Sequence, residues 1–207
     1  MGGTAPPPPD TSPPSGGAQW TSPAAPAGTP VPGAAGFVYA DVPNRAIAYI
    51  IDAIILFVIN VIVGIVLGAI IGPTVTIDSD FNIQPNLGAS LIYALVSTAI
   101  SGAYFVWTWT SMRASPGQRV LGMQVGNAGD GATLTMNQAV IRWVLLGAPF
   151  GIASALTGIG GLGLLIALAA LAWFIALLVT TAQSPTKQGL HDRYANTVVV
   201  KAARSVG

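Results

Sequence analysis

Three polar residues recur on one side of the first long apolar stretch. Wound at 100° per residue, Arg45, Asp52 and Asn60 fall with Tyr49 within about 80° of one another. A charged carboxylate inside a membrane helix costs roughly 2.5–3.5 kcal/mol on insertion scales, so Asp52 must face protein or water instead of lipid. Two kinds of chemistry fit that face. In one, Asp52 lines a polar cavity and binds a cation or a proton, with Arg45 as its charge partner and Asn60 as a polar neighbour. In the other, Arg45 reaches to the membrane interface while Asp52 pairs with a basic or hydroxyl group on a neighbouring helix.

The remaining chemistry-bearing residues are few. His191 is the only histidine and stands beside Asp192, but adjacent residues rarely face each other, and no serine or metal-ligand partner has suitable spacing. A hydrogen-bonded turn that locks the tail to an inner loop is the expected role of this pair. Asp78 and Asp80 lie in a polar loop, residues 73–87, that holds no positive charge and is expected to be solvated. Gly158-Ile159-Gly160-Gly161-Leu162-Gly163 has the spacing of a dinucleotide-binding loop. It lacks the preceding strand and the acidic residue about 20 positions later, so it reads as a turn. There is no cysteine, which removes disulfides, thiolate metal sites and a cysteine nucleophile. Neither a metal site nor a cofactor is expected, and catalysis inside the membrane is the weakest of the readings.

The elements that must position these residues are membrane helices. Of 207 residues, 52% are hydrophobic and only 7% charged, against roughly 25% charged in a soluble domain. The mean hydropathy of +0.66 points the same way. A net charge of +1 with no basic patch interleaved with aromatics gives nucleic acid nothing to bind. The expected fold class is an all-α integral membrane protein with four transmembrane helices at about 45–71, 89–112, 143–157 and 162–181. The uncharged run from Trp143 to Thr181 is nearly twice what one pass needs, so it is divided at the glycines. Its first half is short enough that a re-entrant hairpin stays open as an alternative, as does a count of three passes.

Charge distribution orients this arrangement. With four crossings and a cytoplasmic start, all 8 lysines and arginines fall on or near the inner side. Both termini are therefore expected in the cytoplasm, at the cell membrane. Phe37 to Pro43 reads as an interfacial lead-in, and Asn44 as the cap of the first helix. Ser115-Pro116-Gly117 breaks the chain after the second helix. Val120 to Val125 and Thr197 to Val200 read as strands that pair in a small cytoplasmic sheet, and Thr135 to Gln138 as a capping box. Residues 1–36 are rich in Pro, Gly and Ala, with an unbroken run Pro6 to Pro9, and are expected to be disordered. Such a tail could dock an aromatic-lined cytoplasmic partner.

Several of these pieces together resemble the RDD family of bacterial membrane proteins. They are Asn44-Arg45 followed by Asp52; Ser-Pro-Gly-Gln-Arg-Val-Leu-Gly-Met-Gln-Val from Ser115; Arg142 ahead of an apolar run; and Gln-Gly-Leu-His-Asp-Arg-Tyr-Ala-Asn-Thr-Val-Val from Gln188. The resemblance covers about 40–201 and leaves the proline-rich tail outside. It carries the family's arginine and first aspartate to Arg45 and Asp52, and its second aspartate to Asp192. It implies a multi-pass membrane domain that transports ions or small ligands, with Arg45, Asp52, Asn60 and Asp192 as the candidate ion- or ligand-binding residues. A single four-helix chain is small for a transporter, so a homo-oligomer is expected, with Gly64, Gly68 and Gly72 as a packing surface. The alternative is a non-transport scaffold or accessory subunit that recruits partners through its helices and tail.

Overall fold

The computed structural model describes residues 31–32, 37–156 and 160–202. Its longest element is α1, Val42–Ile71, whose 30 residues run about 45 Å. Asp41, not Asn44, caps it: the Asp41 carboxylate accepts from the Asn44 backbone N–H, and Pro43 fills an early position where no N–H is needed. The outer half of α1 shows aliphatic side chains all round, with Ile65 and Ile70 about 70% exposed in the isolated chain. That is the surface lipid would cover. α1 ends at Gly72, which takes a φ of 83° and returns its N–H to the Gly68 carbonyl.

A hairpin of β3, Val75–Ile77, and β4, Ile83–Pro85, leads to α2, Leu87–Met112. Asp78 closes that hairpin by accepting the backbone N–H groups of Asp80 and Asn82, both at 2.9 Å. These bonds favour its charged form and hold its carboxyl below the usual range. Asn86 caps α2.

The third and fourth long helices are α4, Met136–Leu156, and α5, Gly160–Gln183. All four long helices are apolar enough to span a membrane. α4 begins well before the expected 143 and is long enough for a full pass, so the short-pass and hairpin alternatives do not apply. Thr135 and Gln138 start it as the expected capping box. Arg142 consequently lies inside the helix instead of ahead of it, a placement that its ion pair described below makes tolerable. Gly160 to Gly163 are helical and not a turn; the rest of the expected glycine turn lies outside the described residues. Pro149 sits within α4 and cannot donate to the Leu145 carbonyl, which accepts instead from Trp173 Nε1 on α5 at 2.7 Å. α2 packs most extensively on α4, and α4 on α5, while α1 touches α2 and α5 more sparsely.

One end of the bundle is closed by short elements. β1 (Val31–Pro32), β2 (Phe37–Tyr39), β5 (Met123–Asn127) and β6 (Thr197–Ala202) form an antiparallel sheet in the order β1-β2-β6-β5. The expected pairing is present, with Met123 opposite Lys201 and Asn127 opposite Thr197, but the first strand begins three residues later than expected. Pro116–Val120 forms the one-turn helix α3, which occupies the start of that stretch. The expected interfacial lead-in is strand β2, and Val31–Pro32 of the proline-rich tail are strand β1; the rest of the tail lies outside the described residues. Leu190–Tyr194 forms the short helix α6. Met123, Val125 and Val199 from the sheet join Ala48, Phe105, Trp109 and Ala139 from the helices in one buried core.

Candidate functional site

Asp192 is fully buried between two arginines. Arg45 Nη1 on α1 donates to Oδ2 at 2.6 Å, and Arg142 Nη1 on α4 donates to Oδ1. Thr197 Oγ1, at the start of β6, lies 3.2 Å from Oδ1 and accepts from Arg142 at 2.7 Å. The Gly189 N–H adds a longer bond to Oδ2 at 3.3 Å. Arg45 also donates Nε to the Ala40 carbonyl at 2.9 Å, fastening α1 to the chain leaving β2. The Arg142 guanidinium stands 4.9 Å from the Trp109 ring centroid, a cation–π contact. Asp192 thus joins two spanning helices, the sheet and α6 at one point.

Electrostatics follow from that packing. Burial opposes the charge on Asp192, but Arg142, His191 and Arg45 outweigh it and hold the carboxyl well below its usual range. His191 Nε2 lies 3.5 Å from Asp192 Oδ2. Burial pushes the His191 imidazole down to about 4; Asp192 opposes this, and Arg142 and Arg45 add to it. At neutral pH the ring is therefore uncharged, and its buried Nδ1 has no hydrogen-bond partner among the described residues.

Asp52, 2% exposed, has a different set of partners. Its Oδ1 accepts from Tyr104 Oη and from the Gly117 N–H, both at 2.8 Å, and its Oδ2 accepts from Ser115 Oγ. The Ser115-Pro116-Gly117-Gln118 stretch is built for this docking. Ser115 caps α3, Pro116 starts it, and Gln118 completes the capping box while accepting from Trp109 Nε1 at 3.1 Å. Gly117 is required by contact: a Cβ there would land on the Ala48 carbonyl and 3.0 Å from the Asp52 carboxyl carbon. Asp52 is thus the latch that seats α3 on α1.

Asn60 stands two turns further along α1, apart from both carboxylates. Its Oδ1 accepts from Ser97 Oγ at 2.5 Å and its Nδ2 donates to the Leu56 carbonyl, while its own carbonyl accepts from Tyr93 Oη. Three cavities follow α1. The first, about 70 Å³, touches Arg45, Asp52, Arg142 and His191. The second, about 370 Å³, touches Asn60 and Ser97, and the third, about 420 Å³, reaches Gly72 and Thr74. Tyr49, Phe105 and Leu146 line both the first and the second. Tyr49 lies parallel to Phe105 with ring centroids 6.5 Å apart, so an aromatic pair stands between them.

The RDD family model matches residues 39–196. The chain belongs to the RDD family. No curated protein and no solved structure matches it. The match begins in β2 and ends just before β6, so this RDD chain places its four long helices, α3 and α6 inside the family region.

The sequence-derived site residues of this RDD protein separate into three places. Arg45 joins Asp192, not Asp52 as the first reading had it. The two are expected together because they share a helix face, but the Arg45 side chain turns to the buried Asp192, which accepts from two arginines at once. Asp52 is satisfied by hydroxyl and backbone donors, in keeping with the second reading of that face. Asn60 belongs to the hydroxyl-lined cavity. Arg142, Tyr104 and Ser115 were missed as site residues. Arg142 did carry a signal, a lone arginine at the head of an uncharged run, and Ser115 opens the stretch that resembles the family.

Proposed function

We propose that this RDD protein moves an ion or small ligand across the cell membrane, as a multi-pass protein with both termini in the cytoplasm. The observation that carries the reading is the row of three cavities along α1, each sharing residues with the next, from the charged cluster to the Gly72 turn. A bundle serving only as an anchor needs no polar, hydroxyl-lined spaces at membrane depth, where unsatisfied polar groups are costly. Asp52 would act as a proton-binding carboxylate. The Ser115 and Gly117 donors hold this carboxylate at the wall of the narrow first cavity. The orientation follows from the charges: Arg45 and Arg142 meet at the end closed by the sheet, and Arg113, Arg119, Lys187, Arg193 and Lys201 belong to the segments at that same end. The protein is no enzyme in this reading, in which Asp192 is held by Arg45, Arg142 and the Gly189 N–H. It works as a homo-oligomer, which would use the open side of Gly68, where an added Cβ would meet nothing within 4 Å.

The test is flux in proteoliposomes under imposed sodium, potassium and proton gradients, read with an interior pH dye. Asp52→Asn is the informative variant, because Ser115 Oγ can turn to accept from the new amide and the latch keeps its geometry. Wild-type flux that is lost in a folded Asp52→Asn protein supports the reading; flux unchanged in that variant removes the carboxylate from it.

A second reading has its own observation. Both buried aspartates find their donors within the chain, as expected of a scaffold or accessory subunit. Absence of flux from folded protein, together with one stoichiometric crosslinked partner lost on deleting residues 1–36 or changing Arg45, would favour it.

A further inference from the structure

We infer that the cavity between α1, α2 and α4 is a binding site for a small uncharged molecule with hydroxyl groups on one edge and an apolar face on the other, of the polyol or monosaccharide class. The inference deepens the transport reading and rests on it for passage, though not for binding.

The lining decides the ligand's charge. Among the described residues no Asp, Lys, Arg or His borders this cavity of about 370 Å³. An ion entering it would shed water with no opposite charge to receive it, a cost of several kcal/mol after relaxation. Arg45, Asp52 and Arg142 lie instead around the first cavity, beyond the Tyr49–Phe105 pair, and are already held by partners within the chain.

The lining also decides the ligand's shape. α1 and α2 contribute Asn60, Tyr93, Ser97, Thr98 and Ser101, and α4 contributes the Trp143 and Phe150 rings together with Ser154. Part of the polar wall is held in place by the protein itself: Ser97 donates to Asn60, and Trp143 Nε1 donates to Ser101 Oγ at 3.3 Å. Bonding capacity is left over. Ser101 keeps its own proton, Ser97 keeps its lone pairs, and Thr98 makes no side-chain bond among the described residues. A ring with hydroxyls on its edge would bond that wall while its C–H face lies on the indole or phenyl rings opposite, which present a partly negative face. Specificity by such placed polar groups in an otherwise apolar pocket is the general pattern of small-molecule sites.

Two glycines keep the space open. At Gly151 an added Cβ would stand 2.5 Å from Thr98 Oγ1, and at Gly147 it would stand 3.2 Å from Trp143 Nε1. Gly151 therefore lets α4 approach Thr98 on α2, and Gly147 leaves room for the Trp143 indole of its own helix.

Saturation-transfer NMR on the full chain in micelles tests this, with myo-inositol and glucose as neutral probes and choline and acetate as charged ones. The expected result is saturable transfer to a neutral probe and none to the charged pair. Thr98→Val, which keeps shape and removes one hydroxyl, should weaken binding about three- to tenfold, the worth of one hydrogen bond. Gly151→Val should abolish it, and Thr98→Val stands as the test if that protein does not fold. No saturable transfer to either neutral probe, transfer indifferent to Thr98→Val, or choline or acetate binding that Thr98→Val weakens would each overturn the inference. Neutral-probe binding without flux in proteoliposomes would sink the transport reading and leave this site standing.

Discussion

Arg45 Nη1 donates to Asp192 Oδ2 over 2.6 Å and so joins residues 147 positions apart in the chain. The same carboxylate takes Arg142 on its other oxygen. One buried negative charge therefore stands between two buried or half-buried positive ones, and the arrangement is asymmetric in what its loss would cost.

Asp192→Asn should be the most damaging single change at this cluster. It leaves two guanidinium groups without a counter-charge, whereas Arg45→Met leaves the Arg142 pair intact. Breaking a buried pair costs about 3–5 kcal/mol. Thermal unfolding in detergent should rank Asp192→Asn below Arg45→Met; the reverse order would show that the arginines find other partners.

Gly117→Ala should destabilise the protein by about 1–3 kcal/mol, because the new methyl group lands on the Ala48 carbonyl. Gly129→Ala is the control: its Cβ would have only the Asn127 side chain nearby, at an ordinary 3.5 Å. Equal melting temperatures for the two variants would mean that α3 does not seat on α1 as described.

Acid should weaken the fold in two stages. His191 titrates near 6.5 when unfolded and near 4 when folded, so below about 6.5 the unfolded chain binds the extra proton and stability falls until about pH 4. The full loss is about 3 kcal/mol. Asp192, held below its unfolded value of 3.8, contributes stability that is lost only as pH falls further. His191→Gln should flatten the window from 6.5 to 4 and leave the lower one. A profile that keeps its slope there in the variant would assign the window to another group.

Trp173→Phe should cost about 1–3 kcal/mol by leaving the Leu145 carbonyl unpaired inside the bundle. Pro149→Ala restores an N–H that can reach that carbonyl, so the double variant should recover most of the loss. Additive losses on the two changes would argue against the shared acceptor.

Much of this architecture was legible in the residues, and the parts that were not share a cause. Helices α1 and α2 were visible because apolar runs of that length admit few other readings, and the β5–β6 pairing because both segments are short, β-branched and flanked by turn residues. The capping box at Thr135 marked where α4 opens, but the pass was placed after Arg142 because that residue looks like a boundary; only its distant partner, in the Gly-Leu-His-Asp turn, permits it inside the helix. The same non-local fact misassigned Arg45. Helix periodicity places Arg45 and Asp52 on one face, but a long guanidinium side chain can choose between carboxylates, and the choice depends on a residue 147 positions away. α3 was hidden in a stretch that reads as a helix breaker, because Pro116 and Gly117 serve equally to end one helix and to start another.

The position of Asp192 near the end of the chain has a consequence for how the protein is made. Ribosomes deliver residues at about 5–20 per second, so Arg45 waits roughly 7–30 s before its counter-ion exists. Until then the arginines of two helices have no Asp192 to pair with, and β2 has only β1 beside it. Closure of this end of the bundle therefore waits for residues 189–202, which bring the shared carboxylate and the β6 edge together.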